Sequence, residues 1–400
     1  MMGTTEMSKV SSMDIEKSFR HQLVGRFQKQ EQFTSGYSPL FSRLCGIIGQ
    51  WLVDENDLVG NWLVQAAANR ASFDVPLLLM AGLHKSVLAG SAEAKEPAAY
   101  FATVDGTKSP DDPNLPQVLR QSILLLQADL EVFIQTASVQ TNETGRGLCW
   151  LLPLLYTPWQ QVHLVDLGAS AGLNLLAEQR KYTLVAEDSS KEIVSLGQGD
   201  NTEFVVKCSG RFVPPDRSAE TVRVVSRIGC DRAPFYLQSK EDEYTLSSFI
   251  WGDQKKRMTR LQEGIAVLRA METAGNTLCL YPADLPMELD SFLIRHIPAD
   301  PACPVVLYTT YLTNYLADKG ASLLERIQQW AVKQTRDILW LQMEISRNEL
   351  QPPHKGWVLW QANLWQKGIH YTWNLGWCHP HGSPVHWLAG VEQWARFWQE

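Results

Sequence analysis

Residues Val162–Leu176 read VHLVDLGASAGLNLL, and this segment decides the fold. An apolar run closes on Asp166. Gly168, Ser170 and Gly172 follow at alternate positions, and a helical apolar pattern then takes over. Strand, tight turn and helix in that order bring bare backbone up to whatever lies at the strand tip. A unit of this kind builds a nucleotide-type cofactor crevice at the carboxyl edge of a parallel sheet.

Working outward, apolar runs at 162–167, 221–229, 276–282, 304–310 and 337–345 predict strands. Helical patterns at 172–179, 253–272 and 322–334 fall between most of them, the alternation of a parallel sheet covered by helices. Residues 356–365 and 369–377 are separated only by Gln-Lys-Gly, a spacing that allows a hairpin but no crossover helix. The expected fold class is α/β: a Rossmann sheet of five parallel strands plus a C-terminal antiparallel hairpin, the strand inventory of a class I methyltransferase. A dehydrogenase Rossmann domain normally ends on a sixth parallel strand. Residues 184–220 carry Gly197, Gly199, Gly210, Pro214 and Pro215, and read as an insertion, a flap or small β-excursion.

Upstream of residue 160 the periodicity is helical at 15–32, 38–53, 61–68, 76–88 and 115–139, with a loop at 92–114. The expected division is a helical N-terminal lobe or lid at 1–150 and a Rossmann-like domain at 151–400. The 400 residues are 45% hydrophobic and 20% charged, with a net charge of −7 and no basic block, so nucleic acid is not an expected partner. Seven scattered cysteines without a CxxC pair read as reduced thiols. Without a membrane-length apolar run or an apolar leader, a cytoplasmic protein acting on a small molecule, with no membrane partner, is expected.

Several polar groups then become candidates. Asp166, Gly168, Ser170 and Gly172 form acid-x-G-x-S-x-G, which resembles the S-adenosylmethionine motif and would surround the amino-acid end of that cofactor. Asp231 follows the second predicted strand, where an acid accepts from ribose hydroxyls. It lies 65 residues beyond Asp166 (231 − 166), a long interval that the insertion explains. If 182–186 were the second strand instead, Glu187 and Asp188 would compete for that role. Asp284 follows the third strand, at the expected adenine side, or is a turn residue beside Pro286.

In QTNETGR (140–146), Asn142, Glu143 and Arg146 form a dense polar group. Over the crevice, Glu143 would take an amine or hydroxyl and Arg146 a carboxylate bidentately. The alternative is a helix start capped by Thr141 or Asn142. Tyr308 and His381, with Glu143, are candidate bases or positioning groups, and Tyr311 joins Asn142 and Arg146 as a candidate substrate contact. WGDQKKRMTRL (251–261) reads as a solvated helix start capped by Asp253, or as an anion site. In WCHPHG (377–382), Pro380 favours a turn, and the pattern assigns no metal. Eight of the 15 tryptophans lie between Trp357 and Trp398, where they read as core or as an aromatic wall for a substrate.

GASAG also fits G-x-S-x-G, so a serine hydrolase with Ser170, Asp284 and His381 is a rival reading. A binding protein that holds a nucleotide or S-adenosylmethionine without catalysis is another.

PLLLMAGLHKSVLAG (76–90), QTNETGR, DLGASAGLNLL, RIGCDRAPF, WGDQKKRMTRL and CHPHG, in this order, resemble the bacterial family known as domain of unknown function 2332. The resemblance runs from about Phe33 to Leu388. It implies a Rossmann-like fold similar to S-adenosylmethionine-dependent methyltransferases, and it implies no particular reaction. Family members carry Asp, Tyr and aromatic residues after the glycine turn, whereas this chain has Glu178-Gln179-Arg180-Lys181-Tyr182.

Overall fold

A computed structural model describes residues 12–140, 142–199, 204–218, 222–347 and 350–399. Thr141 and Thr221, which fall in a predicted cap and a predicted strand, lie outside the described residues, as do parts of the 184–220 insertion. The chain divides into two compact units, Met1–Thr141 with Leu237–Thr259, and Asn142–Tyr236 with Arg260–Glu400.

The first unit is helical, with helices at Ser12–Thr34, Pro39–Val53, Leu58–Ala66, Val75–Ala89, Leu115–Leu125 and Gln127–Thr136. The single helix expected over 115–139 is broken at Leu126, whose ψ of 7° leaves the helical range. Leu23, Phe27, Ile48, Leu63, Leu79 and Ile123 meet in its core. Asp57 caps the third helix, accepting from the Val59 and Gly60 amides at 2.9 Å. Asp253 serves as a cap, but not for its own helix. Its carboxylate accepts from Ser38 Oγ at 2.6 Å and the Leu40 amide at 3.0 Å, placing negative charge at the start of Pro39–Val53.

Among the described residues, the second unit is built on one 11-stranded sheet. Its strands are β1 (Gln161–Leu167), β2 (Tyr182–Ala186), β3 (Glu192–Leu196), β4 (Phe204–Ser209), β5 (Arg223–Asp231), β6 (Leu278–Pro282), β7 (Val305–Thr310), β8 (Ile338–Glu344), β9 (Val358–Gln366), β10 (Ile369–Cys378) and β11 (Val385–Trp387). They lie in the order β3-β2-β4-β11-β10-β9-β8-β7-β1-β5-β6. The run β6-β5-β1-β7-β8 is parallel throughout. The hairpin β9-β10 adds to β8 antiparallel.

The sheet is therefore larger than five parallel strands and a hairpin. The stretch read as a flap supplies β3 and β4 and completes β2. Through β11 these strands cover the outer edge of β10, which would otherwise expose unpaired backbone. The helix expected after the glycine turn is a 3-10 segment, Leu173–Gln179, with Leu176 outside helical backbone. From there the chain runs to the far edge of the sheet as β2, so Tyr182–Ala186 is a strand but not the neighbour of β1. That neighbour is β5.

Side chains alternate across the central strands. Val306, Tyr308, Leu339 and Leu341 pack on the face carrying the helix Leu148–Leu154. Val305, Leu307, Ile338 and Trp340 face the helices Leu289–His296 and Ala321–Ala331. Trp360, Trp365, Trp377, Trp387 and Trp394 are buried, so the C-terminal tryptophan cluster is largely core.

Candidate functional site

Parallel register delivers the first pair of polar groups. Asp166 on β1 stands opposite Tyr308 on β7, and Tyr308 Oη donates to Asp166 Oδ2 at 2.6 Å. Both side chains are buried. Burial pushes the Asp166 carboxyl up to about 7, with repulsion from Asp231 adding to it and the Tyr308 hydrogen bond and Arg146 opposing it. Burial and the adjoining Asp166 hold the Tyr308 phenol well above its ordinary value, so it acts as a donor.

The turn that follows has left-handed backbone at all three small positions: Gly168 (φ 93°), Ser170 (φ 49°) and Gly172 (φ 70°). A Cβ on Gly172 would lie 2.8 Å from Leu278 Cδ2, so glycine there permits close packing against β6. The Gly168 and Ala169 amides donate to the Cys230 carbonyl at 2.8 and 2.9 Å. Asp231 fastens the same turn, since its Oδ2 accepts from the Ser170 amide and its Oδ1 from the Ala233 amide, each at 3.0 Å. Asp284 is exposed after β6, and its amide donates to Glu288 Oε2 at 2.7 Å.

The second cluster comes from the segment before the helix Leu148–Leu154. Gly145 and Gly147 let it press against Phe204, Ala177 and Tyr182, where a Cβ would clash. Arg180, fully buried, donates from Nη1 to the Thr144 carbonyl at 2.8 Å, and Tyr182 Oη donates to the same oxygen at 3.2 Å. The backbone so held presents Glu143 and Arg146, 3% and 6% exposed. Glu143 does not cap the following turn with its side chain. His381 Nδ1 instead lies 3.2 Å from Glu143 Oε2.

Arg146 Nε donates to the Pro380 carbonyl at 2.7 Å, and its guanidinium carbon lies 5.3 Å from the Tyr311 ring centre. Among the described residues, its two terminal nitrogens donate to no protein acceptor. Burial lowers the Arg146 pKa, while Glu143, Tyr315, Glu344 and Tyr311 oppose that shift. Asn142 Nδ2 is buried without a hydrogen-bond partner among the described residues. The C-terminal CHPHG turn thus closes onto QTNETGR, and two motifs far apart in sequence form one cluster.

Sequence reasoning missed two residues here. Arg180 holds the Thr144 carbonyl. Glu344, buried at the end of β8, accepts from the Leu312 amide at 3.0 Å, the Thr313 amide at 3.1 Å and Thr313 Oγ1 at 2.8 Å. It fixes the turn in which Tyr311 has a φ of 61°. The available signal was a carboxylate, Glu344, near the end of the largely apolar strand DILWLQMEI.

Fold and cluster together define an α/β protein with a buried acid, a left-handed turn and a buried arginine around the carboxyl ends of its central parallel strands. The chain belongs to the family DUF2332, described as an uncharacterized protein conserved in bacteria, whose model matches residues 25–387. No curated protein matches it. Among the described residues, no single helix is long and apolar enough to cross a membrane.

Proposed function

We propose that this protein is an S-adenosylmethionine-dependent methyltransferase acting on a small molecule that carries a carboxylate. The parallel order β6-β5-β1-β7-β8 closed by the β9-β10 hairpin supports the class I methyltransferase comparison. The observation that carries the reading is the buried acid at the tip of β1, followed at once by a turn with three left-handed positions. Small residues there leave backbone, not side chains, against a bound cofactor. Asp166, Gly168, Ser170 and Gly172 would hold its amino-acid end, Asp231 its ribose and Asp284 its adenine side. Each oxygen of Asp231 keeps a lone pair beyond the amide it accepts from.

The cofactor supplies an electrophilic methyl group on a sulfonium, so the protein's task is alignment, exclusion of water and removal of a proton where the acceptor carries one. The terminal nitrogens of Arg146 match a carboxylate in fork geometry. Asn142 Nδ2 supplies a further donor, and the Tyr311 ring flanks the guanidinium. Glu143, with His381 beside it, is the acid–base pair placed to receive a proton. Tyr308 acts by holding Asp166. The serine hydrolase reading loses ground because the acid beside His381 is Glu143.

The test is calorimetric titration with S-adenosylmethionine and S-adenosylhomocysteine, followed by transfer of labelled methyl to a panel of small carboxylic acids. Saturable binding and transfer to one member support the reading. Absence of binding to folded protein, with a phosphonate labelling Ser170, would replace it with a hydrolase.

A further inference from the structure

A second cluster of chemistry lies at the opposite, amino-terminal ends of the same strands. His163 on β1, Asp300 and Cys303 each offer one ligand atom, and the three atoms lie within 4.8 Å of one another. His163 is 5% exposed and Cys303 is fully buried, while Asp300 is exposed. His163 Nδ1 is paired with Ser226 Oγ on β5 at 2.8 Å, and its Nε2 is buried with no hydrogen-bond partner among the described residues. A buried polar nitrogen left unsatisfied is costly unless something occupies it. An imidazole oriented through one nitrogen, with the other free, is the arrangement that second-shell bonding gives a metal-ligating histidine.

The loop carrying the other two donors is fixed from several sides. The His163 amide donates to the Pro304 carbonyl at 2.9 Å. Asp300 Oδ1 accepts from the Ala302 amide at 2.9 Å. Arg336 Nη1 donates to the carbonyls of Pro298 and Asp300 at 2.8 and 2.9 Å. Ala302, Pro304 and Arg336, with Gln161, Arg223 and Asp337, line a cleft of about 750 Å³ next to the loop that carries Asp300 and Cys303.

We propose that His163 Nε2, Cys303 Sγ and the Asp300 carboxylate bind one zinc ion, with a water from the cleft as fourth ligand. Nitrogen, thiolate and carboxylate form a zinc donor set. Bonds of about 2.0–2.3 Å place tetrahedral ligands roughly 3.5 Å apart, so the ion draws the three atoms together by about 1 Å. The exposed Asp300 side chain is the one free to make that adjustment. One thiolate and one carboxylate neutralise the ion, so the nearby Arg336 faces a site without net positive charge. Asp300 and Cys303 stand three residues apart on one loop, and His163 joins them from β1, far away in sequence. The site is independent of the methyltransferase reading.

The experiment strips the full-length protein with a chelator and titrates it with cobalt(II). The expected result is a thiolate-to-cobalt charge-transfer band that saturates at one equivalent and is bleached by zinc. It should be absent in Cys303→Ser, and affinity should fall at least about tenfold in Asp300→Asn, whose exposed side chain can change without disturbing the core. Ser226→Ala should weaken binding about 10- to 100-fold by releasing the imidazole. Folded wild-type protein without the band, or an equal band in Cys303→Ser, would overturn the proposal.

Discussion

Tyr308 and Asp166 meet across two adjacent parallel strands through a 2.6 Å hydrogen bond, and both side chains are buried. The phenol donates to a carboxylate that burial holds up to about 7. Tyr308→Phe removes that donor while keeping the ring. Stability above pH 7 should fall by about 1–3 kcal/mol, the cost of stranding a buried acceptor, measured by urea unfolding. A change near zero would mean that the bond is not formed in solution.

The same carboxyl gives a pH signature. Its folded pKa of about 7 stands above the ordinary carboxyl value of 3.8, so between them the folded state binds more protons than the unfolded state. Stability from this group is therefore full below about 4 and is lost as pH rises through about 7, a cost on the order of 4 kcal/mol. Asp166→Asn removes the ionisation. Its stability relative to wild type should rise across that interval and then level off. A difference that stays constant from pH 4 to pH 8 would contradict the assignment.

Glu344 accepts from two amides and a hydroxyl in the turn after β7. Glu344→Ala should cost about 3 kcal/mol in thermal or denaturant unfolding, and Glu344→Gln, which keeps one acceptor oxygen, about half as much. Equal effects of the two variants would show that the acceptor role is not what stabilises the turn.

The turn itself separates backbone from side-chain roles. Gly168 has a φ of 93°, and a Cβ there would lie 3.0 Å from Leu312 Cδ1, so Gly168→Ala should cost about 1–3 kcal/mol. Ser170→Gly relieves a left-handed residue and should leave stability unchanged or slightly raised. Retained activity in Ser170→Gly would exclude a serine nucleophile, whereas complete loss of activity in a stable variant would favour one.

In the proposed reaction Arg146 binds the acceptor and Glu143 serves turnover. Arg146→Lys keeps the charge but loses the fork, so methyl transfer to a carboxylate acceptor should fall at least about tenfold while S-adenosylhomocysteine affinity stays within about twofold. Glu143→Gln should lower kcat more than it changes cofactor affinity. Parallel loss of cofactor binding in both variants would move this cluster from the acceptor to the cofactor.

The parallel strands were legible because strands buried on both faces read as continuous apolar runs bounded by turns, as at 304–310 and 337–345. β3, β4 and β11 were not. They are short, partly exposed and set among glycine and proline, and their pairing across the sheet leaves no local periodicity. Gly168, Ser170 and Gly172 could be read from size alone, because a tight turn after a strand requires it. That Glu143 would meet His381 could not be read, since the contact depends on where the CHPHG turn lands after ten strands have formed. Asp231 stands at the tip beside β1, yet its bond to the Ser170 amide depends on the register of β5 against β1, which leaves no local pattern. Arg180 stands in the polar run Glu178–Lys181, which carries no local sign of its burial.

The central claim is that the turn after β1 receives S-adenosylmethionine. The most direct measurement is calorimetric titration of the full-length protein with S-adenosylhomocysteine, repeated on Gly168→Ala after its folding has been confirmed by circular dichroism. One-to-one saturable binding, weakened at least about tenfold in the variant, is the predicted result. No heat and no shift in melting temperature with folded wild-type protein at millimolar ligand would contradict it.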